Sequence, residues 1–381
     1  MSEIPQRVMH ICLSESWGGL EMYPGRVTPE FQRQGWEVHG VALAGSRVAQ
    51  SFSAAGVDPL VFRSRLAALL NIHKLLRYLR KHDIRVVHAH KSSDMRVGAL
   101  LVAIRPSLRL FFTDHMGVRK PKKDLYHRWA YSKLTRLFSI SKATRCRNLK
   151  AFPLPQERIE QLYYGIDLSR YACSVSEGDR RLLRSSLGIP PKTVAIALPG
   201  RISRSKGHSV WIEALRYLRQ YHPDIAFIGL IIGEADPIDS VPGGYLSELK
   251  DIIDQYELQP YVQFCGFRDD LHMCLMAVDM VCIPSADEAF GLSVIEAMAA
   301  GTPVIGSDSG AIPELLSEGR GLLASPKDPT AWASSLLQLI EDQEKNSTMV
   351  ERALIWVESN FGIDQHVSKL VNYYSRCGIR S

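Results

Sequence analysis

Glu288 and Glu296 bracket the segment Glu-Ala-Phe-Gly-Leu-Ser-Val-Ile-Glu, the first in a loop before a predicted helix, the second inside it. Between them, Phe290, Gly291 and Leu292 place backbone N–H groups at the helix N-terminus. Those groups have no intrahelical partner and sit at the positive end of the helix dipole. Such a turn is suited to anions, phosphate above all. A carboxylate beside it is suited to a different task, accepting hydrogen bonds from hydroxyls. Phosphate on amides and hydroxyls on carboxylates together describe a sugar nucleotide. Two glutamates alone would read as solvated helix charges. The continuation Ala-Met-Ala-Ala-Gly301-Thr-Pro303-Val-Ile argues otherwise, with a glycine suited to a helix C-cap, a proline that blocks continuation and an apolar pair opening a buried strand.

A second charged loop, Gly200-Arg201-Ile-Ser-Arg204-Ser-Lys206-Gly207, follows the strand-like Thr193-Val-Ala-Ile-Ala-Leu198 and precedes a helical stretch from His208 to Tyr221. Arginine offers phosphate a forked pair of donors, lysine a mobile point charge. Fixed cations there would stabilise a diphosphate leaving group, whose charge grows as a glycosidic bond breaks. Gly18-Gly19-Leu-Glu21, after the first strand, is a turn where backbone can approach a ligand closely. It lacks the Gly-x-Gly-x-x-Gly spacing of a dinucleotide fingerprint. His115, in Phe-Thr-Asp-His-Met-Gly, follows another strand and is a candidate polar partner at a reacting centre. A lone histidine is as readily a packing residue, and His88 and His90 read as structural. No Asp-x-Asp motif is present and no His/Cys/Asp/Glu group has metal-ligand spacing in sequence, so no metal is expected at the diphosphate.

The elements that must position these residues alternate along the chain. Strand signals at Arg7–Leu13, Val38–Ala44, Val57–Val61, Val86–His88 and Leu108–Thr113 are interleaved with helical periodicity, as over Leu66–His82. The pattern restarts after a polar stretch near residue 174, with strands at 193–198, 225–233, 262–265, 280–283 and 304–305. Strand–helix alternation implies parallel sheets covered on both faces, and 381 residues suggest two domains. Ligands in such sheets bind beyond the carboxyl ends of the strands, where every one of these motifs falls. Pro24, Gly25 and Pro29 are expected to interrupt the helix after the Gly-Gly turn.

Composition is that of an ordinary globular protein, 46% hydrophobic and 23% charged, with a net charge of +6 and seven scattered cysteines. No apolar run reaches the roughly 18–20 residues needed to cross a bilayer. The start lacks the basic and apolar regions of a signal peptide, so a reducing cytosol is expected. Between Gly117 and Arg136 the bases Arg119, Lys120, Lys122, Lys123, Arg128, Lys133 and Arg136 face the single acid Asp124, with Tyr126, Trp129 and Tyr131 interleaved. No nucleic-acid motif accompanies them. An anionic membrane surface fits them better, and a plainly solvated face is the alternative.

The segment from Glu288 onward resembles the donor-site signature of the retaining glycosyltransferases of family 4. The Gly-Gly-x-Glu turn and the Arg201–Lys206 loop are similar to that family's too, and the resemblance covers nearly the whole chain. It implies the GT-B fold: two facing doubly wound Rossmann-like domains with an interdomain cleft. On that pattern residues 1–170 form an acceptor-binding domain and 171–360 a nucleotide-sugar-binding domain, with 361–381 crossing back to the first. It further implies hexose transfer from a nucleotide-diphosphate sugar to a glycolipid or saccharide acceptor, with retention and without a cofactor. Glu296 would hold the ribose and Glu288 the donor sugar. Arg201, Lys206 and the amides of Gly291 and Leu292 would hold the diphosphate. Gly18 and Gly19 would face the donor, and His115 would lie near the acceptor. Lipopolysaccharide or surface polysaccharide assembly at the inner face of the cytoplasmic membrane is the implied setting. A nucleotide-sugar 2-epimerase and a catalytically silent assembly module are the alternatives on the same fold.

Overall fold

The computed structural model describes residues 6–118, 120–172, 176–235, 239–241 and 243–376. The chain divides into two units, residues 1–165 with 363–381, and residues 166–362. In the first, seven parallel strands form one sheet: β1 (Gln6–Cys12), β2 (Trp36–Leu43), β3 (Leu60–Phe62), β4 (Val86–Ala89), β5 (Arg109–Asp114), β6 (Arg136–Ser139) and β7 (Ile159–Gln161). Their order is β3-β2-β1-β4-β5-β6-β7. The second unit repeats the scheme with β8 (Val194–Pro199), β9 (Phe227–Ile232), β10 (Val262–Gly266), β11 (Met280–Ile283), β12 (Val304–Ser307) and β13 (Leu322–Ala324), ordered β10-β9-β8-β11-β12-β13. Every described pairing between these strands is parallel. In each sheet the winding reverses beside the first strand, between β1 and β4 and between β8 and β11. That reversal opens the crevice in which doubly wound sheets bind ligands.

The strands are buried on both faces and so read as continuous apolar runs. Ala195, Ile196, Ala197 and Leu198 of β8 are all at most 1% exposed. The short strands β6, β7 and β13 carry too few apolar residues to stand out in the sequence, and only their sheet neighbours make them strands.

Two local expectations are corrected. The helix after the Gly-Gly turn runs unbroken over Gly19–Arg33, with Pro24 and Pro29 inside it. Each proline forfeits one helix hydrogen bond and typically costs about 3 kcal/mol. Against this, Tyr23, Val27 and Phe31 are almost wholly buried, each worth about 1.5–3 kcal/mol. Gly25 adds close packing, since a Cβ there would stand 1.8 Å from Ser51 Oγ on the helix Arg47–Ala54. The stretch Leu66–His82, by contrast, is two helices, Arg65–Leu70 and Ile72–Lys81. They part at Asn71, whose side-chain amide donates to the Ala67 carbonyl at 2.8 Å.

The C-terminal helix Ile363–Arg376 belongs to the first unit. Tyr374 is buried against Phe31, Trp36 and Phe111, and its hydroxyl meets His88 Nδ1 at 2.5 Å.

Candidate functional site

In the second unit, the loops after β8 and β11 flank the winding reversal and are tied together. The Ala286 N–H donates to the Ser205 carbonyl at 2.9 Å. Gly207, at φ 74°, ends the first loop in a left-handed turn, and a Cβ on it would stand 2.2 Å from the Pro284 carbonyl oxygen. Only glycine permits that approach. The contact brings Lys206 Nζ to 2.6 Å from Glu288 Oε2, with both side chains partly shielded, 32% and 18% exposed. The Ala311 N–H donates to the Glu288 carbonyl at 2.8 Å and anchors the second loop from the far side.

Gly291 is the N-cap of the helix Leu292–Ala299, again left-handed at φ 94° and ψ 48°, and no side chain caps the helix. A helix N-terminus without a side-chain cap is the general setting in which backbone amides bind anions. The helix closes in a Schellman turn. Gly301 (φ 69°) donates to Met298 and Thr302 to Ala297, satisfying the last carbonyls. Phe290 is buried and its ring lies 6.1 Å from that of Phe361. Glu296 lies inside the helix, half-buried. Arg201 is exposed at the start of the β8 loop, which runs beside the β9 end through an Ile202 N–H bond to the Glu234 carbonyl at 2.9 Å. Arg204 is turned elsewhere, paired with Glu248 and lying over the Tyr245 ring. The second unit thus gathers Arg201, Lys206, Glu288, Phe290, Gly291, Leu292 and Glu296 onto loops and a helix at one end of one sheet.

In the first unit the Gly18–Gly19 turn caps the carboxyl end of β1, with Gly18 extended as the N-cap of the following helix. Beneath it lies a polar group that sequence reasoning did not assemble. Ser14 Oγ donates to Glu21 Oε1 at 2.8 Å, Lys91 Nζ donates to Ser14 Oγ at 2.6 Å, and the Leu13 N–H donates to Asp94 Oδ2 at 3.3 Å. Burial pushes the Asp94 carboxyl up to about 7.

His115 is buried at the end of β5, with both ring nitrogens engaged: Nδ1 with the Tyr164 hydroxyl, Nε2 with His90 Nδ1 at 3.1 Å. His90 Nε2 in turn lies 2.8 Å from His10 Nδ1. The result is a hydrogen-bonded chain from β1 through the ends of β4 and β5. A neighbouring branch is fixed in its proton positions. The Tyr163 carbonyl can only accept, so His366 Nδ1 donates to it at 2.6 Å, and the Tyr23 hydroxyl must then donate to His366 Nε2 at 2.6 Å. Burial holds these imidazoles neutral, with His10 and His115 pushed down to about 3, His366 to about 4, and His88 and His90 well below the usual range. His88 and His90 are fully buried members of this system. The signal that could have joined them was the His-Ala-His alternation at the end of β4, which puts both rings on one face.

Part of the basic-aromatic segment lies in the loop after His115, and Arg119 falls outside the described residues. Lys120 and Lys123 are exposed. So are Leu125, Tyr126 and Trp129 on the helix Leu125–Ser132, Leu125 at 85%. Tyr131 is not part of that surface: it is 1% exposed and packs on Phe112 and Phe152. Two turns of helix place it opposite the aromatic face. Among the described residues, no helix is long and apolar enough to cross a membrane.

Two Rossmann-like parallel-sheet units, the second with its charged loops at the winding reversal, make up a GT-B architecture. The chain carries a Glycosyltransferase Family 4 domain over residues 17–170 and a Glycosyl transferases group 1 domain over residues 179–356. It is similar to the D-inositol 3-phosphate glycosyltransferase of Corynebacterium kroppenstedtii, with 32% identity over 203 residues, covering 52% of this chain and 44% of the relative. The chain thus spans about half the length of the curated relatives it matches. In structure it resembles Alr3699/HepE of Anabaena, solved with UDP and glucose, at a TM-score of 0.82 and 23% identity over 97% of this chain and 99% of that one. A glycosyltransferase of Rickettsia africae superposes at 0.88 with 18% identity over 99% and 100%. These structural likenesses establish the fold.

Proposed function

We propose that the protein is a retaining glycosyltransferase that moves a hexose or hexose derivative from a nucleoside diphosphate sugar to a glycolipid acceptor. The observation that carries this is the Lys206–Glu288 pair, held at 2.6 Å beside the uncapped helix that starts at Leu292. Lys206 and Arg201 neutralise the diphosphate, and the amides of Gly291 and Leu292 complete its cradle. Glu296 takes the ribose hydroxyls and Glu288 the sugar hydroxyls. In the unliganded protein Glu288 holds Lys206 in place; an arriving diphosphate offers the lysine a stronger partner and frees the carboxylate for the sugar. These cations occupy the role that a metal has in other nucleotide-sugar enzymes. The departing phosphate oxygen accepts the acceptor proton, so no second carboxylate is required. His115, neutral and bonded at both nitrogens, acts as a polar support of the acceptor region and not as a base.

The acceptor belongs to the first unit, whose outer surface supports a lipid-borne substrate. Leu66 and Leu70 on one exposed helix and Leu125, Tyr126 and Trp129 on another flank the same helix Met95–Ile104, with Lys120 and Lys123 beside them. Apolar side chains at headgroup depth and cations against anionic lipid are the two contributions that peripheral proteins combine. On this reading the enzyme works at the inner face of the cytoplasmic membrane, in lipopolysaccharide or surface polysaccharide assembly. A second reading, transfer to a soluble inositol phosphate, is favoured by the name of the 32%-identical relatives.

The test is turnover of a panel of nucleoside diphosphate hexoses with lipid-linked saccharide acceptors and, in parallel, with D-inositol 3-phosphate. An α-linked product from an α-linked donor, seen in the anomeric proton spectrum, supports retention, and a β-linked one refutes it. A free sugar nucleotide altered at C2 would instead identify an epimerase. No turnover with intact nucleotide binding would indicate a silent module.

A further inference from the structure

Glu37 and His39 lie two residues apart near the amino end of β2, so their side chains share one face of the sheet. His82 caps the helix Ile72–Lys81 and comes to the same place, its ring 5.1 Å from that of His39. One ligand atom from each residue lies within 4.8 Å of the other two. We propose that Glu37, His39 and His82 form a binding site for a divalent transition-metal ion of the zinc class, with two imidazoles, one carboxylate and an open position for water.

The detailed contacts argue for an ion and not simply for an ion pair. His39 Nε2 is buried and has no hydrogen-bond partner, although Glu37 Oε1 stands only 3.1 Å away. The two atoms are within ion-pair distance but do not form a well-aligned hydrogen bond. Two ligands of one tetrahedral metal at roughly 2.0–2.1 Å are themselves about 3.3 Å apart, with the second well off the axis of the first. The observed separation of 3.1 Å is close to that distance. The third ligand, His82, is half-buried at a helix end and offers a ring nitrogen within 4.8 Å of the other two ligand atoms.

The supporting groups are in place as well. Metal-bound histidines commonly give their other nitrogen to an oxygen partner, which fixes the tautomer, and metal-bound carboxylates are themselves hydrogen-bonded. His39 Nδ1 lies 3.1 Å from the Tyr78 hydroxyl, and in the tautomer in which Nδ1–H donates to that hydroxyl, Nε2 keeps its lone pair for a metal. Tyr78 is one helical turn before His82 and the two rings lie 4.3 Å apart. Arg7, opposite Glu37 on β1, donates Nε to Glu37 Oε2 at 2.6 Å and leaves Oε1 for the metal.

Two nitrogens and one oxygen suit zinc and its analogues better than calcium or magnesium, which prefer oxygen alone. The site lies at the amino ends of the strands, the opposite end of the first sheet from the Gly18–Gly19 turn. A bound ion would tie β2 to the helix Ile72–Lys81 without touching the residues proposed for transfer.

The experiment uses the full chain, stripped with chelator and titrated with Co²⁺ as a spectroscopic probe, then with Zn²⁺ in competition. One equivalent of Co²⁺ should give visible ligand-field bands that Zn²⁺ displaces, and Zn²⁺ should raise the Tm. His82→Ala and Glu37→Gln, both at accessible positions, should weaken Co²⁺ binding at least tenfold and lose the Zn²⁺-dependent shift while keeping the metal-free circular dichroism of the wild type. Absence of stoichiometric Co²⁺ binding by the wild type overturns the site. So does wild-type affinity in both variants, which would move the metal to the buried group His10, His88 and His90.

Discussion

Lowering the pH from 7 to 5 should unfold the first unit well before the second. His10, His88, His90, His115 and His366 are held neutral by burial, which pushes His10 and His115 down to about 3, His366 to about 4, and His88 and His90 well below the usual range. In the unfolded chain they titrate near 6.5. Their folded values are depressed, so the unfolded state takes up protons first as the pH drops. Stability is complete above about pH 7 and declines below 6.5. Between pH 7 and 5 each histidine removes roughly 2 kcal/mol, and the five together on the order of 9 kcal/mol. Asp94 works in the opposite sense. Its folded value is raised to about 7, so protonation favours the folded unit as the pH falls and returns roughly 2 kcal/mol over the same interval. Asp114, also raised by burial, adds to that compensation. The net loss is several kcal/mol, a large part of the 5–15 kcal/mol that typically holds a domain together. Among the described residues of the second unit, His208 alone is a buried histidine pushed down in this way, to about 4. Methionine oxidation along a urea gradient reads the two units separately, with Met9 buried in the first and Met280 in the second. The midpoint at Met9 should fall sharply from pH 7 to pH 5 and that at Met280 much less. Equal midpoints at Met9 at both pH values would refute the claim that the histidine system stays uncharged.

Three further outcomes follow. Lys206→Met should weaken UDP binding about tenfold to a hundredfold, the usual effect of one charge-assisted hydrogen bond of roughly 1.5–3 kcal/mol, whereas Glu288→Gln should bind UDP as well as or better than the wild type, because Lys206 loses a competitor, yet transfer sugar poorly; calorimetry and turnover separate the two. Gly207→Ala should cost about 1–2 kcal/mol from its left-handed backbone alone, and more because its Cβ would meet the Pro284 carbonyl, so a Tm within about a degree of wild type would show that the loop contact is not as described. Leu125→Ser with Trp129→Ser should abolish sedimentation with anionic vesicles while leaving UDP affinity unchanged, and undiminished sedimentation would mean the helix face is only a solvated surface.

The local form of the segment from Glu288 to Gly301 was legible because it is contiguous. Glu288, Gly291 and Glu296 sit in one loop and the helix that follows it, and Gly301 ends that helix with the turn its residue type implies. The same holds for the loop from Gly200 to Gly207. What escaped the sequence is what the sheet order creates. His10, His90 and His115 are 80 and 25 residues apart, and they meet only because β1, β4 and β5 are neighbours. The Glu37–His39–His82 group was hidden for the same reason, since no local spacing links a strand to the end of a helix more than forty residues on. Tyr131 was misread for a different one: in an eight-residue helix the position of one aromatic on the inner face depends on rotation that a charged, weakly periodic sequence does not define.

The two units handle charge in opposite ways, and this bears on what each can do. In the second, Lys206, Glu288 and Arg201 are partly or fully exposed on loops that carry glycines, so on the proposed reading a diphosphate would exchange for the carboxylate without unfolding anything. In the first, the imidazoles and tyrosines near the strand ends are buried, neutral and mutually bonded, so a proton taken up there would cost packing as well as a hydrogen bond. An enzyme that must stabilise a charge developing on phosphate needs the first kind of site where the donor sits. On the proposed reading the departing phosphate oxygen takes the acceptor proton, so the acceptor side needs no base. The chain of neutral histidines, braced by Tyr164 and by His366 of the C-terminal helix, would then serve as a rigid polar wall. The residues that read most readily as catalytic thus lie in the second unit, while the first unit holds its buried histidines in the uncharged state.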